Sequence, residues 1–416
     1  MPLRTFPGPM PHSLPTASSC SFLLWGSWSG GPTAVLPLHL LKKYFKVVPT
    51  IFILAGPVKL GLTSTVRRLK SAAARGEPGD ARSRRRGLRG PRCSARLSAG
   101  IAGGLGVAEF RWTMDREDVG TAARLGQVRT AHGGFETPVF MPVGTVGSVK
   151  GIAPWEVARS GSGILLANTY HLYLRPGMDV VRALGGLHRM MAWKGAILTD
   201  SGGYQVFSLS SLMKLEEQGV VFRSHIDGSK HELTPEKAVE VQETLGSDIM
   251  MVLDECPKAD ADETYARRSM ELTTRWAKRC LAHRRSANAL FAIVQGGMHP
   301  HLRREHAAEL SALPFDGMAI GGLSVGESKE QMLEMLAASL SRLPTHRPRY
   351  FMGVGRPEDI LKSVAMGVDM FDCVLPTRSG RTGLLFTWNG EISVKQAAWR
   401  LKDEPPDREC GCPTCR

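Results

Sequence analysis

The chain has 416 residues, 43% hydrophobic and 22% charged, which is ample for a buried core of one large or two ordinary domains, and it carries a formal net charge of +14. The basic excess sits in the first 108 residues, with 16 Lys and Arg against 2 Asp and Glu; the remainder holds 37 of each sign. The body is therefore no general polyanion binder, and any nucleic-acid contact has to come from a local patch.

Residues 1–108 combine Ser, Pro, Gly and Arg clusters, ending in Arg82-Ser83-Arg84-Arg85-Arg86, with no amphipathic period. They read as a disordered extension: a targeting peptide, a basic RNA-binding tail, or an upstream stretch with no folded role and a functional start nearer Met114. The apolar segment between Ser21 and Leu62 is broken by Gly, Pro and Lys42-Lys43. This argues against a membrane span and makes the cytoplasm the expected compartment.

From Phe110 the pattern changes to short apolar runs, most followed by a helix-length amphipathic segment. The expected strands are Val139–Met141, Ile164–Leu166, Ala196–Leu198, Ile249–Leu253, Phe291–Val294, Met318–Ile320, Tyr350–Met352 and Val368–Phe371. Helices are expected over Pro235–Leu245 behind a Thr234 N-cap, Thr264–Arg285, Pro300–Leu310, Ser328–Leu343 and Pro357–Ala365. Val220–Leu233, with Asp227-Gly228 at its centre, reads as an inserted hairpin. Buried strands alternating with helices predict an α/β fold, a (β/α)8 TIM barrel over 109–400, with a doubly wound sheet as the alternative. The polar residues closing the strands, Asn168, Asp200, Asp254, Gln295, Gly322 and Asp372, would then open onto one mouth. Over 401–416, Cys410, Cys412 and Cys415 have the Cys-x-Cys-x-x-Cys spacing of a zinc site rather than of a disulfide framework.

Several long motifs stand in order at these strand ends: Asn168-Thr169-Tyr170-His171-Leu172, Thr199-Asp200-Ser201-Gly202-Gly203-Tyr204-Gln205, Val294-Gln295-Gly296-Gly297, Gly321-Gly322-Leu323-Ser324-Val325-Gly326-Glu327, Met352-Gly353-Val354-Gly355-Arg356-Pro357-Glu358-Asp359, and Met370-Phe371-Asp372-Cys373-Val374-Leu375-Pro376-Thr377-Arg378-Ser379-Gly380-Arg381. Through them the chain, from about Phe110 to Cys415, resembles the queuine/archaeosine tRNA-ribosyltransferase family, specifically the bacterial-type tRNA-guanine transglycosylases. The resemblance implies exchange of the wobble guanine of tRNAs with G-U-N anticodons for a 7-deazaguanine.

Replacing a base without cutting the strand requires that the anomeric carbon be held between two displacements, which a carboxylate can do through a covalent ribosyl ester. The resemblance gives Asp372 that role and makes Asp200 the general acid/base. A lone Asp at a strand end is ordinarily a helix N-cap; two inside matched motifs reverse that reading. Ser201, Gly202 and Gly203 form the turn where backbone can approach a planar ligand. Asp254 would face the donor edge of guanine, Gln295 and the Gly322 N–H its carbonyl, and Tyr204 and Met352 would sandwich the ring. Taken singly, Gln295 and Met352 would be packing residues.

Cys256, Val325 and Glu327 resemble the bacterial form, which takes the 7-aminomethyl base; the Leu323 carbonyl would accept from the aminomethyl group while Glu327 steadies that backbone. The queuine-inserting eukaryotic form, with glycine at the Val325 position, is the alternative. Gly353, Val354, Gly355, Arg356, Pro357, Glu358 and Asp359, with Thr377, Arg378, Ser379, Gly380 and Arg381, match the segments that contact the anticodon loop, where a splayed base costs less than one drawn from a duplex. The family completes its structural zinc site with a downstream histidine, for which this sequence has no match, so a truncated zinc subdomain is expected and the family's homodimer contact is in question. The rivals are a glycoside hydrolase, which would need a sugar groove and water access, and a non-catalytic tRNA-binding subunit, which would have lost the nucleophile.

Overall fold

The computed structural model describes residues 109–209, 213–387, 389–410 and 415; the expectations placed on 1–108 and on Cys412 lie outside them. The chain begins with an antiparallel sheet of β1 (Arg111–Glu117), β2 (Arg124–Thr130) and β3 (Gly133–Thr137). Eight parallel strands follow in two groups. The first is β4 (Val139–Pro142), β5 (Ile164–Ala167) and β6 (Ala196–Thr199). A second antiparallel sheet intervenes, β7 (Met213–Leu215), β8 (Val220–Arg223) and β9 (Lys230–Leu233). The second group is β10 (Ile249–Met251), β11 (Ala289–Val294), β12 (Gly317–Ile320), β13 (Arg349–Phe351) and β14 (Met370–Cys373).

The parallel strands are ordered β4-β14-β13-β12-β11-β10-β6-β5, and a parallel bridge between Val143 and Leu166 brings β4 to β5, closing the ring. This is the expected barrel and not a doubly wound sheet. All the parallel strands except the mouth end of β14 are buried along their length, as continuous apolar runs between barrel interior and outer helices should be. The helices follow the predicted periods: Pro235–Leu245 starts where Thr234 Oγ1 accepts from Lys237 N at 3.1 Å, Glu263–His283 where Asp262 accepts from Tyr265 N at 2.8 Å, and Lys329–Leu340 behind a Ser328/Gln331 capping box. Among the described residues no helix is long and apolar enough to cross a membrane.

Three expectations need correction. The strand read as Ile249–Leu253 ends at Met251; Val252 N still donates to the Phe291 carbonyl at 3.1 Å, and Leu253 N turns instead to the Cys280 sulfur at 3.4 Å, while both residues stay buried. The last strand begins at Met370 rather than Val368 and runs to Cys373, so Asp372 lies within the pairing, opposite Met141, and not just beyond it. The inserted hairpin β8–β9 carries β7 as a third strand.

The amino-terminal sheet is fastened to the barrel floor by two buried aspartates. Arg124 in β2 is paired with Asp369, which also accepts from Arg349 N at 2.7 Å. At the β2–β3 turn His132 Nδ1 lies 2.8 Å from one oxygen of Asp248, and His188 Nε2 lies 3.1 Å from the other, which also accepts from Ile197 N at 2.9 Å. Burial pushes the Asp248 carboxyl upward, but these hydrogen bonds outweigh it and hold the group below the usual carboxylate range. The two imidazoles stack 3.5 Å apart with planes 17° from parallel, so their nitrogens run side by side onto two oxygens. In this arrangement the three side chains clamp the turn to the barrel floor through hydrogen bonds.

Candidate active site

The carboxyl ends of the barrel strands carry the residues in question. Asp200 directly follows β6 and is 8% exposed. One of its oxygens accepts from Thr169 N at 2.7 Å; the other accepts from Asn168 Nδ2 and from Gln205 Nε2, the latter at 2.8 Å. Burial raises its carboxyl and those three donors lower it, while the nearby charge of Asp372 raises it again, and the balance is about 6. Asp254, beyond β10, is 6% exposed; it accepts from Gln295 Nε2 at 2.7 Å and faces Ser201 Oγ at 3.4 Å. Burial, followed by the charge of Asp200, lifts it to about 6 against the pull of Gln295 and Ser201.

Asp372, partly buried in β14, takes both of its hydrogen bonds on Oδ1, from Tyr350 OH at 2.6 Å and from Gly353 N at 2.9 Å. Burial raises this carboxyl while those bonds hold it back. Asp372 acts electrostatically on Asp200, and Asp200 on Asp254. Three carboxylates from distant parts of the chain thus share one neighbourhood.

Around these carboxylates the backbone approaches closely at two glycines. A Cβ at Gly203 would stand 2.8 Å from the Asp254 carbonyl oxygen. At Gly322, where φ is +65°, it would stand 2.3 Å from Gln295 Oε1. Gln295 is fully buried on β11's end, gives its amide nitrogen to Asp254, and keeps Oε1 buried without a hydrogen-bond partner. Burial pushes the Cys256 thiol up to about 12; Cys256 is thus a neutral donor or acceptor, not a nucleophile. Leu323 is buried, and Glu327 takes the amide hydrogens of Ser324 and, at 2.9 Å, Val325.

Met352 is partly buried against the barrel core, whereas Tyr204, in the first turn of the helix Gly203–Leu209, is 52% exposed. Ser201, Gly202 and Gly203 are buried.

The segments assigned to RNA flank the mouth. Gly353 is exposed with φ of +77°, Val354 and Gly355 are buried, and Arg356 stands just before the helix Pro357–Ala365 without a side-chain capping bond, pairing instead with Glu391 at 2.6 Å. Glu358 and Asp359 both pair with Lys329, at 2.9 and 3.1 Å; they fix the helix start and leave no net positive charge there. Thr377 to Arg381 lie on the helix Leu375–Thr382, with Arg378 and Arg381 exposed, Ser379 buried, and Arg381 also bonded to the Lys150 carbonyl at 3.2 Å. Cys410 is buried and Cys415 partly so.

Sequence reasoning assigned no role to the residues that hold the carboxylates. Asn168, Thr169 and Gln205 stood inside the matched motifs, and their polarity beside a strand end was the available signal. Tyr350 lay in an apolar strand run, and Arg303, fully buried on the helix Pro300–Ser311, lay inside an expected helix; neither gave a signal.

Residues 118–416 match the family model described as Queuine tRNA-ribosyltransferase. Curated relatives bearing the same name include a protein of Oleidesulfovibrio alaskensis, 55% identical over 297 residues covering 71% of this chain and 79% of the relative. A Caldanaerobacter subterraneus protein is 54% identical over 312 residues, 74% of this chain and 83% of its own length. One from Bacillus licheniformis is 55% identical over 298 residues, 71% and 78%.

Proposed function

Because this chain belongs to the queuine tRNA-ribosyltransferase family, we propose that it is a tRNA-guanine transglycosylase working by double displacement on an aspartate. The observation that carries this is the gathering of Asp200, Asp254 and Asp372 at one barrel mouth with only neutral hydrogen-bond donors around them. In the first step Asp372 Oδ2 attacks C1′ of the target nucleoside, the bond from C1′ to the glycosidic nitrogen breaks, and the departing guanine takes a proton from Asp200. In the second, the incoming base returns a proton to Asp200 as its nitrogen displaces Asp372, and two inversions restore the configuration. An acid near 6 suits both directions of transfer at neutral pH. Tyr350 and Gly353, by donating to Oδ1, orient the nucleophile and favour its ionised form against the effect of burial.

The base lies with its N–H and amino group toward Asp254 and its carbonyl toward Gln295 and the Gly322 N–H, with Tyr204 free to swing over the ring opposite Met352. Gln295 meets the carbonyl by turning its amide, which now serves Asp254, toward the base. The substrate is the wobble guanine of tRNAs with G-U-N anticodons, and the incoming base is 7-aminomethyl-7-deazaguanine: Cys256, Val325 and Glu327 support it, and the Leu323 carbonyl is the acceptor. Exposed Arg378 and Arg381 take the anticodon loop. Cys410, Cys412 and Cys415 would hold a structural zinc ion, three thiolates being a donor set that fits it; bound, the ion would cross-link the segment and supply no catalysis. The working unit is a homodimer.

The test is incubation with labelled guanine and unmodified tRNA carrying a G-U-N anticodon, with a denaturing gel for the adduct. Incorporation and an RNA adduct lost in Asp372→Ala are expected. Binding without incorporation supports a non-catalytic subunit instead, and an adduct that survives Asp372→Ala overturns the assignment.

A further inference from the structure

Arg303 is a cation with no exposed surface, and among the described residues no ion pair neutralises it. A buried charge is costly unless its hydrogen bonds are filled. Its guanidinium spends them on backbone carbonyls: Gly297 at 2.7 Å, Gly321 at 3.1 Å and Gly322 at 3.2 Å. Gly297 belongs to the loop after β11, the others to the loop after β12, so one planar fork joins the two loops that carry Gln295 and Gly322.

In a trans peptide the carbonyl and the following N–H point in opposite directions. With the Gly321 carbonyl turned to Arg303, the Gly322 N–H must face away from it. The Gly322 carbonyl, held the same way, fixes the Leu323 N–H. Glu327 anchors the far end of this loop through the Ser324 and Val325 amides. Glycine at 322 has no side chain to resist rotation of its peptides. Orientation therefore has to be imposed from outside, and Arg303 is the group in contact.

We propose that Arg303 is a positioning residue for base recognition: by clamping the Gly321 and Gly322 carbonyls it aims the Gly322 N–H at the place of the base's carbonyl oxygen, and so sets the preference for a 6-oxopurine ring. Arg303 touches no reacting atom. The inference rests on the transglycosylase reading, and the parent protein's incorporation of labelled guanine tests that reading separately.

The variants are Arg303→Lys, which keeps the charge but loses the fork, and Arg303→Met. The readouts are the KM for guanine, the KM for tRNA, and the competition of guanine against 2-aminopurine, which lacks the 6-oxygen. Losing one aimed donor should raise the guanine KM about tenfold and shrink the guanine preference by a similar factor. The KM for tRNA, held mainly by anticodon-loop contacts, should stay within about twofold. Both guanine readouts are independent of the fraction of protein folded, so a partly unfolded variant still reports. An Arg303→Lys enzyme with unchanged guanine KM and unchanged preference overturns the proposal, even if its melting temperature falls.

Discussion

Replacing Asp254 with Asn should make the protein more stable at neutral pH while destroying base recognition. Asp254 ionises at about 6 in the folded chain against 3.8 for an unperturbed carboxyl. A group whose folded pKa is raised binds its proton more tightly in the native state, so it costs stability as pH rises from about 4 through about 6, and the cost is complete above that window. Two pK units correspond to about 3 kcal/mol at pH 7.5, about half of that at pH 5, and a few tenths near pH 4. Part of the rise comes from the charge of Asp200, and the site relaxes, so a gain of about 1–3 kcal/mol is the working figure at pH 7.5. Asn fits the hydrogen bonds in place: its oxygen can accept from Gln295 Nε2 and its amide can donate to Ser201 Oγ. The assay is urea unfolding of parent and variant at pH 7.5, 5 and 4, beside guanine exchange. An Asn variant no more stable than the parent at pH 7.5, or a gain that does not shrink toward pH 4, would refute the reasoning.

Gly322→Ala puts a Cβ 2.3 Å from Gln295 Oε1 at a left-handed φ; a loss of about 1–3 kcal/mol in melting studies and a weaker guanine complex are expected. Tyr350→Phe removes a donor from the Asp372 carboxylate, so the acid limb of the pH–rate profile should move to higher pH with kcat about tenfold lower; an unmoved limb counts against a role for this hydroxyl. Arg124→Ala strands the buried Asp369 charge and should cost about 3–5 kcal/mol in denaturant unfolding, with the guanine KM unchanged. Cys410→Ser should lower the zinc content measured by elemental analysis, and equal content in parent and variant would remove the zinc proposal.

The barrel was legible because buried parallel strands are near-continuous apolar runs, and Val139–Pro142 through Gly317–Ile320 all have that form. The amino-terminal sheet was missed for the opposite reason: β1 is almost wholly exposed, so no alternation marks it, and its attachment depends on Arg124 and His132 meeting aspartates more than a hundred residues away. The motifs made Asp200, Asp254 and Asp372 visible as a set. What surrounds them, Tyr350 reaching Asp372 from the neighbouring strand and Arg303 joining the two loops that carry Gln295 and Gly322, follows from register and helix rotation, which local composition does not encode.

The two ends of the barrel treat aspartate in opposite ways, and the difference bears on function. On the floor, Asp369 has Arg124, and Asp248 has two histidines and a backbone amide. At the mouth, Asp200, Asp254 and Asp372 receive amides, a hydroxyl and backbone N–H groups, and among the described residues no cation reaches them. A cation beside such a carboxylate favours its ionised form and occupies the oxygens that would exchange a proton, even where burial still raises the carboxyl, as it does for Asp369; neutral donors fix its position while leaving burial to raise its proton affinity. The floor arrangement maximises attachment, and the mouth arrangement gives up stability for reactivity. Removing charge should therefore act with opposite sign at the two ends: loss of stability for Arg124→Ala, gain for Asp254→Asn. A chain whose mouth carboxylates had only a structural part would have no physical reason to leave three of them unpaired together.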